Sequence, residues 1–288
     1  MTEFLLMMFI ALFGSMTVAG FIGNMIKNTS LVDVFWGLGV VVAVGTLYVV
    51  TPYSIAFTIF ALLVAGWGLR LGLFLFFTRT LKGKQDRRYT EFEKKWGRYK
   101  PFRVFMHFYL QASLQLFLCF VLYPFYGLPV IGLGPIQFFS LVIFIFALFG
   151  QTLADWQLYQ YKLKGNRGIY KKGLWSISRH PNLFFEFLMW ISLALFSFNY
   201  KGNIFAWISP LIVWVIIRFM TGPYTERLSL KKHKAVFQTY QNEVPMIVPK
   251  FIFFRNKKFK YIFNVFFIIF SFFILFIIWT FRDIKFLS

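Results

Sequence analysis

Residues 31–78 read LVDVFWGLGVVVAVGTLYVV, then TPY, then SIAFTIFALLVAGWGLRLGLFLFFT. Two apolar runs, 31–50 and 54–78, are parted only by Thr51-Pro52-Tyr53, a tight proline turn. A helix crosses a bilayer with roughly 20 predominantly apolar residues, and each run reaches that length. The same reading carried outward finds eight candidate spans, at about 4–22, 31–50, 54–78, 104–124, 130–153, 182–199, 204–221 and 261–281. Composition agrees. Of 288 residues, 59% are hydrophobic, 43 are Phe and only 14% are charged, with mean hydropathy +0.66. A soluble domain of this size needs far more polar surface, which excludes an ordinary cytosolic globule. The expected fold is all-α, a polytopic membrane helical bundle of about eight transmembrane helices. No repeat or low-complexity linker divides the chain, so 1–288 is expected to be one integral membrane domain. Met1–Ile22 lacks a basic start and a small-residue cleavage site and is read as a retained first span.

The chain carries 31 Lys and Arg against 10 Asp and Glu. In a soluble protein that balance suggests nucleic acid; here its placement gives orientation instead. Ten basic residues lie in 79–103, six in 154–181 and nine in 222–260, the connections after spans three, five and seven. All three fall on one side, which the positive-inside rule makes cytoplasmic. Both termini are then expected outside. The plainest reading of the basic connections is topology plus attraction to anionic lipid headgroups. Cys119, the single cysteine, excludes a disulfide framework and any multi-cysteine metal site, and no metal is expected.

Ionisable residues inside spans are costly and mark sites by default. They are Asp33, Arg70, Asp155, Glu186, Arg218 and Glu226. A structural alternative is an interhelical ion pair, such as Arg70 with Asp33. At about 100° per residue, Gln151, Asp155 and Lys162 share one face of a helix running out of span five. Next comes the glycine-bearing basic stretch 162–173, with Arg167 and Tyr170, whose glycines admit a ligand and whose cations suit phosphate. Then come Arg179, His180, Pro181, Asn182 and Glu186. Pro181 fits the first turn of span six, a helix N-terminus favours an anion, and Asn182 and Glu186 share a face. The last connection carries Glu226, His233, Phe237 and Tyr240, and Pro245 and Pro249 end its amphipathic stretch, which also suits the membrane interface.

The Arg179-His180-Pro181-Asn182 element with Glu186, preceded by Gly173-Leu174-Trp175 and followed by Glu226 to Pro249, resembles the C-terminal domain of the steroid 5-alpha-reductase family. Asp33-Val-Phe-Trp36-Gly37, Trp67-Gly68-Leu69-Arg70-Leu71-Gly72, Asp86-Arg87-Arg88-Tyr89 and Trp96-Gly97 look like its bacterial branch, DUF1295. The resemblance covers about 30–250 and leaves 261–281 as an additional span beyond a seven-helix core. It implies an enzyme that binds NADPH from the cytoplasmic side and reduces an activated carbon–carbon double bond in a lipid-like substrate, whether sterol, polyprenyl or fatty enone. Hydride goes to the carbon β to a carbonyl and a proton to the α position. Asp155, Asn182 and Glu186 match the family's polar-helix Asp, its late Asn and the acid that follows; Gln151 stands for its Asn and Lys162 for its Arg. The expected cofactor set is thus Gln151, Asp155, Lys162, Arg167, Tyr170, Arg179, His180, Asn182, Glu186, Glu226 and Tyr240.

The substrate side departs from the steroid enzymes. Their Gln-Glu pair is missing from the N-terminal half, and Trp67 stands near the place of their tyrosine. Asp33, Trp36 and Arg70 are the candidate catalytic residues, with Asp33 as proton donor if burial raises its pKa. The Arg-His-Pro element and the Glu226, Phe237, Tyr240 and Pro249 series also resemble membrane methyltransferases of the isoprenylcysteine carboxyl type, which use S-adenosylmethionine. There the leucine is out of register, since position 229 is Ser229. Membrane lipids are expected partners, with no nucleic acid and no protein partner implied. The resemblance favours a bacterial inner membrane.

Overall fold

The computed structural model describes residues 1–126, 132–198 and 202–250. Helices and turns make up these residues, with no strand among them. Six stretches are long and apolar enough to cross a membrane: Thr2–Met25, Leu31–Val50, Ile55–Lys82, Lys100–Phe125, Pro135–Leu163 and Asn203–Glu243. Pro181–Phe196 is a shorter apolar helix. The protein is therefore a polytopic helical membrane protein, and the first seven expected spans each fall on one of these helices. The eighth, 261–281, lies outside the described residues.

The chain forms two compact units. The first holds Met1–Phe138 and Leu193–Ser209; the second holds Phe139–Ser192 and the chain from Pro210 onward. In the first, α1 (Thr2–Met25), α2 (Leu31–Val50), α3 (Ile55–Thr78) and α5 (Lys100–Leu118) pack along their lengths, and α4 (Arg87–Trp96) is a short helix between spans. Local chemistry sets the ends. After the Pro52 turn, Ser54 caps α3 by accepting a hydrogen bond from the Phe57 N–H at 3.2 Å. Asp86 caps α4 through the Arg88 N–H at 3.0 Å.

Inside a bilayer, small residues let helix backbones approach, and polar side chains join them. Gly37 of α2 and Gly68 of α3 face one another so closely that a Cβ on Gly37 would lie 2.4 Å from the Gly68 carbonyl oxygen. Gln115 of α5, fully buried, donates its amide to the carbonyls of Phe35 and Trp36 at 2.9 and 2.7 Å. This ties α5 to α2.

In the second unit, α6 (Pro135–Leu163) and α7 (Pro181–Phe196) lie antiparallel, shown by the bonds between them described below. Pro181 opens α7, where its missing N–H costs nothing. Beyond α8 (Asn203–Ala206), which belongs to the first unit, and α9 (Ile208–Val215), the chain widens into a π-helical turn at Ile216–Thr221, just before Gly222-Pro223 opens α10 (Gly222–Glu243). The Pro223 ring cannot take a normal helical hydrogen bond, a sufficient cause for the distortion. Past α10, Val244–Lys250 runs back beside residues 177–179: the Arg179 N–H donates to the Pro245 carbonyl at 2.9 Å, and the Lys250 N–H to the Ile177 carbonyl at 2.6 Å.

Candidate functional site

Two rungs join α6 and α7 in the second unit. Gln151 and Asp155 stand one turn apart on α6; Glu186 and Asn182 stand one turn apart on α7. The Gln151 amide donates to Glu186, and Asn182 Nδ2 donates to Asp155 Oδ1 at 3.2 Å. The indole of Trp190, one turn beyond, donates to Glu186 Oε1 at 2.9 Å. Both carboxylates are thereby held in place. Asn182 differs from the rest in one respect. With its amide nitrogen committed to Asp155, its Oδ1 is buried and accepts no hydrogen bond. A buried acceptor left unmet costs about 1–3 kcal/mol, so this oxygen is a place where a donor belongs.

Arg179 is bonded within the protein. It is 9% exposed, and its guanidinium turns into the chain. Nε and Nη2 bind the two oxygens of Glu226 at 2.6 and 3.1 Å, while Nη1 donates to the carbonyls of Gln241 (3.0 Å) and Val244. Gln241 Nε2 adds a bond to Glu226 at 2.7 Å, and His180 Nε2 lies 3.4 Å from the same carboxylate. The Tyr240 hydroxyl donates to the Trp175 carbonyl. Arg179, Glu226 and Tyr240, expected to touch a cofactor, are thus fastenings of the residues before α7 to α10 and the segment after it. A guanidinium with four of five N–H groups spent inside the protein has little left for phosphate.

Lys162 and Arg167 are exposed, and the Tyr170 ring lies against Tyr161 at 5.0 Å between centroids. Arg167 and Tyr170 belong to the basic connection, and Lys162 stands in the last turn of α6. All three residues of the stripe stand on α6, where Gln151 and Asp155 meet Glu186 and Asn182 and Lys162 lies further along the helix.

The candidate substrate residues Asp33, Trp36 and Arg70 all lie in the first unit. Asp33 pairs with Arg88, not Arg70: Arg88 Nη2 lies 2.7 Å from Oδ2, the Tyr89 hydroxyl donates to Oδ1 at 2.5 Å, and Arg79 stands 3.5 Å away. The Arg70 guanidinium lies over the Phe74 ring at 5.6 Å. Trp36 offers its carbonyl to Gln115. Both Asp33 oxygens are thus engaged inside the protein, Oδ2 by Arg88 and Arg79 and Oδ1 by the Tyr89 hydroxyl. The proton in that contact belongs to Tyr89, whose hydroxyl burial and the adjacent Asp33 push well above its ordinary value. The same carboxylate holds Arg88 firmly cationic against the effect of burial. Arg79, Asp86, Arg88 and Tyr89 are the residues that sequence reasoning left without a role, although the Asp86–Tyr89 block was in plain view. His107 packs its ring against Tyr89, Phe92 and Trp96 at 5.4, 5.9 and 6.2 Å, with Nε2 buried and unbonded.

Asp86 fastens this connection. It caps α4, binds Arg79 (2.9 Å) and Arg88 (3.1 Å), and its N–H donates to Ser30 at 2.6 Å. Burial pushes its carboxyl up, but Arg88 and Arg79 outweigh this and hold it below the usual value. A lowered folded-state pKa stabilises above the unfolded value, about 3.9, and that contribution is lost as pH falls through the lowered one. Asp86→Asn is therefore expected to lower stability by about 1–2 kcal/mol near neutral pH. Thermal unfolding from pH 7 to pH 3 should show the wild-type advantage shrinking toward zero. A pH-independent difference would show that the ion pairs contribute nothing.

Fold and ladder together define a polytopic helical membrane protein with an internal polar site between two helices of its second unit. Its sequence matches the family profile described as a protein of unknown function (DUF1295) over residues 20–244, and the chain belongs to that family. It is similar to an uncharacterized protein of Schizosaccharomyces pombe (C594.04c), 26% identical over 261 residues, covering 78% of this chain and 73% of the relative. No solved structure matches it.

Proposed function

We propose that this protein is an integral membrane reductase that uses NADPH to saturate an activated carbon–carbon double bond in a lipid-like substrate, in a cell membrane of bacterial type. The observation that carries the reading is the buried, unmet Asn182 Oδ1. The carboxamide of a nicotinamide ring carries the N–H donors this oxygen lacks, so the residues fit the group. Asp155 fixes which way the Asn182 amide faces, Gln151 and Trp190 fix Glu186, and the exposed cations of the basic connection suit the phosphates. When bound, NADPH supplies hydride to the carbon β to a carbonyl. The surrounding bilayer delivers apolar substrates, and the fold by itself does not choose among them.

Detergent-purified protein with NADPH, NADH or S-adenosylmethionine tests the reading. A ligand that binds the native state alone stabilises it by about 2.7 kcal/mol at a hundredfold excess over Kd. NADPH is expected to raise the melting temperature, and Asn182→Ala, compared with its own ligand-free value, to lose that rise. A rise with S-adenosylmethionine alone would replace reduction with methyl transfer. No rise with any of the three would overturn both.

A further inference from the structure

The connection between α6 and α7 does not leave the protein as a free loop; it retraces one face of α6. Ala154, Gln157 and Tyr161 lie along that face at helical spacing. Tyr161 receives the outgoing leg: its carbonyl accepts from Asn166 Nδ2 at 3.1 Å, and its ring meets Tyr170. Gln157 receives the returning leg, its Oε1 accepting the Leu174 N–H at 3.1 Å. The Ala154 carbonyl accepts the Trp175 indole at 3.0 Å. From α10, Lys232 Nζ donates to the Arg167 carbonyl at 3.1 Å. Gly173, at φ +60°, makes the turn beside Gln157, where a Cβ would lie 2.6 Å from the Gln157 amide nitrogen. Five bonds and contacts thus pin the backbone, while Lys164, Arg167 and Lys172 stay exposed. A loop fixed in this way presents its cations without first having to be ordered, which is how preorganisation raises affinity.

We propose that Gln157 is the positioning residue of this connection, holding residues 164–173 in the shape that presents their cations to the phosphates of a dinucleotide. The proposal rests on the cofactor reading above. Gln157 touches no cation itself. It acts through Leu174, whose N–H it accepts, and through Gly173, which turns beside it.

The full-length protein is titrated with NADPH at low and at high ionic strength, as wild type, Gln157→Ala and Gln157→Glu. Contacts from exposed cations are screened by salt. Gln157→Ala is expected to bind about tenfold more weakly at low ionic strength, the scale of one lost hydrogen bond, and nearly as wild type at high ionic strength. Gln157→Glu keeps the acceptor for Leu174 and should bind within about twofold of wild type. Trypsin should cut Gln157→Ala faster at Lys164, Arg167, Lys171 and Lys172. An unchanged Kd with faster cutting would overturn the positioning role, since the loop would open without consequence. Equal weakening at both ionic strengths would overturn it too, as a general loss of structure. Wild-type protein that binds no NADPH would take the cofactor reading down with it, an outcome distinct from either.

Discussion

Arg179→Ala should remove most of the stability of the second unit, by about 3–5 kcal/mol, the range for breaking one side of a buried ion pair. The loss comes from what stays behind. Glu226, 7% exposed, keeps only Gln241 and the neighbouring His180 around a buried charge, and the carbonyls of Gln241 and Val244 lose their donor. Lysine keeps the charge but cannot reach two carboxylate oxygens and two carbonyls at once, so Arg179→Lys should fall between. Removing both charges tells the pair from the packing: Arg179→Met with Glu226→Leu should recover half or more of the loss, because no buried charge is then stranded. Denaturant unfolding of the three variants is the measurement. A double variant no better than Arg179→Ala would show that the hydrogen bonds to the 241–244 carbonyls, not the charges, hold this corner. The same series decides between fastening and ligand contact. A phosphate-binding arginine loses affinity and keeps stability when removed; this one should do the reverse.

The helices were legible from apolar run length alone, because a bilayer demands one simple property of every span. The α6–α7 ladder was legible in part. Helical spacing put Gln151 with Asp155 and Asn182 with Glu186 on shared faces, and polar residues facing each other inside a membrane find each other. Spacing cannot say which partner a long charged side chain selects. Arg70 and Arg88 both reach several ångströms from their backbones, so choosing between them for Asp33 needed the path of residues 79–99, which no periodicity describes. The partners of Arg179 are equally beyond the reach of spacing, since Glu226, Gln241 and Val244 are 47 to 65 positions away in sequence. Gln157 left no signal at all, since a glutamine that accepts one backbone N–H looks like any glutamine on a helix.

The glycines of the Trp67–Gly72 block were noted as part of a resemblance, and the structure gives them a physical task that yields the other large effect. Gly37→Ala and Gly68→Ala should each destabilise the first unit by at least the 1–3 kcal/mol of an overpacked core. At Gly37 the added carbon would sit 2.4 Å from the Gly68 oxygen, and at Gly68 it would sit 2.6 Å from the Gly37 oxygen. Both obstacles are backbone, so no rotamer change relieves them; α2 and α3 must move apart. Separation would also strain the turn at Thr51–Tyr53 and the bonds from Gln115 to Phe35 and Trp36, which hold α2 from its other side. Gly45 and Gly66 on the same two helices have nothing within 4 Å of an added Cβ. Alanine there should be neutral or slightly stabilising, through its better helix propensity. Melting temperatures of the four single variants in one detergent make the comparison. If Gly68→Ala melted with Gly66→Ala, the two helices would have to stand farther apart than their contact at Gly37 allows.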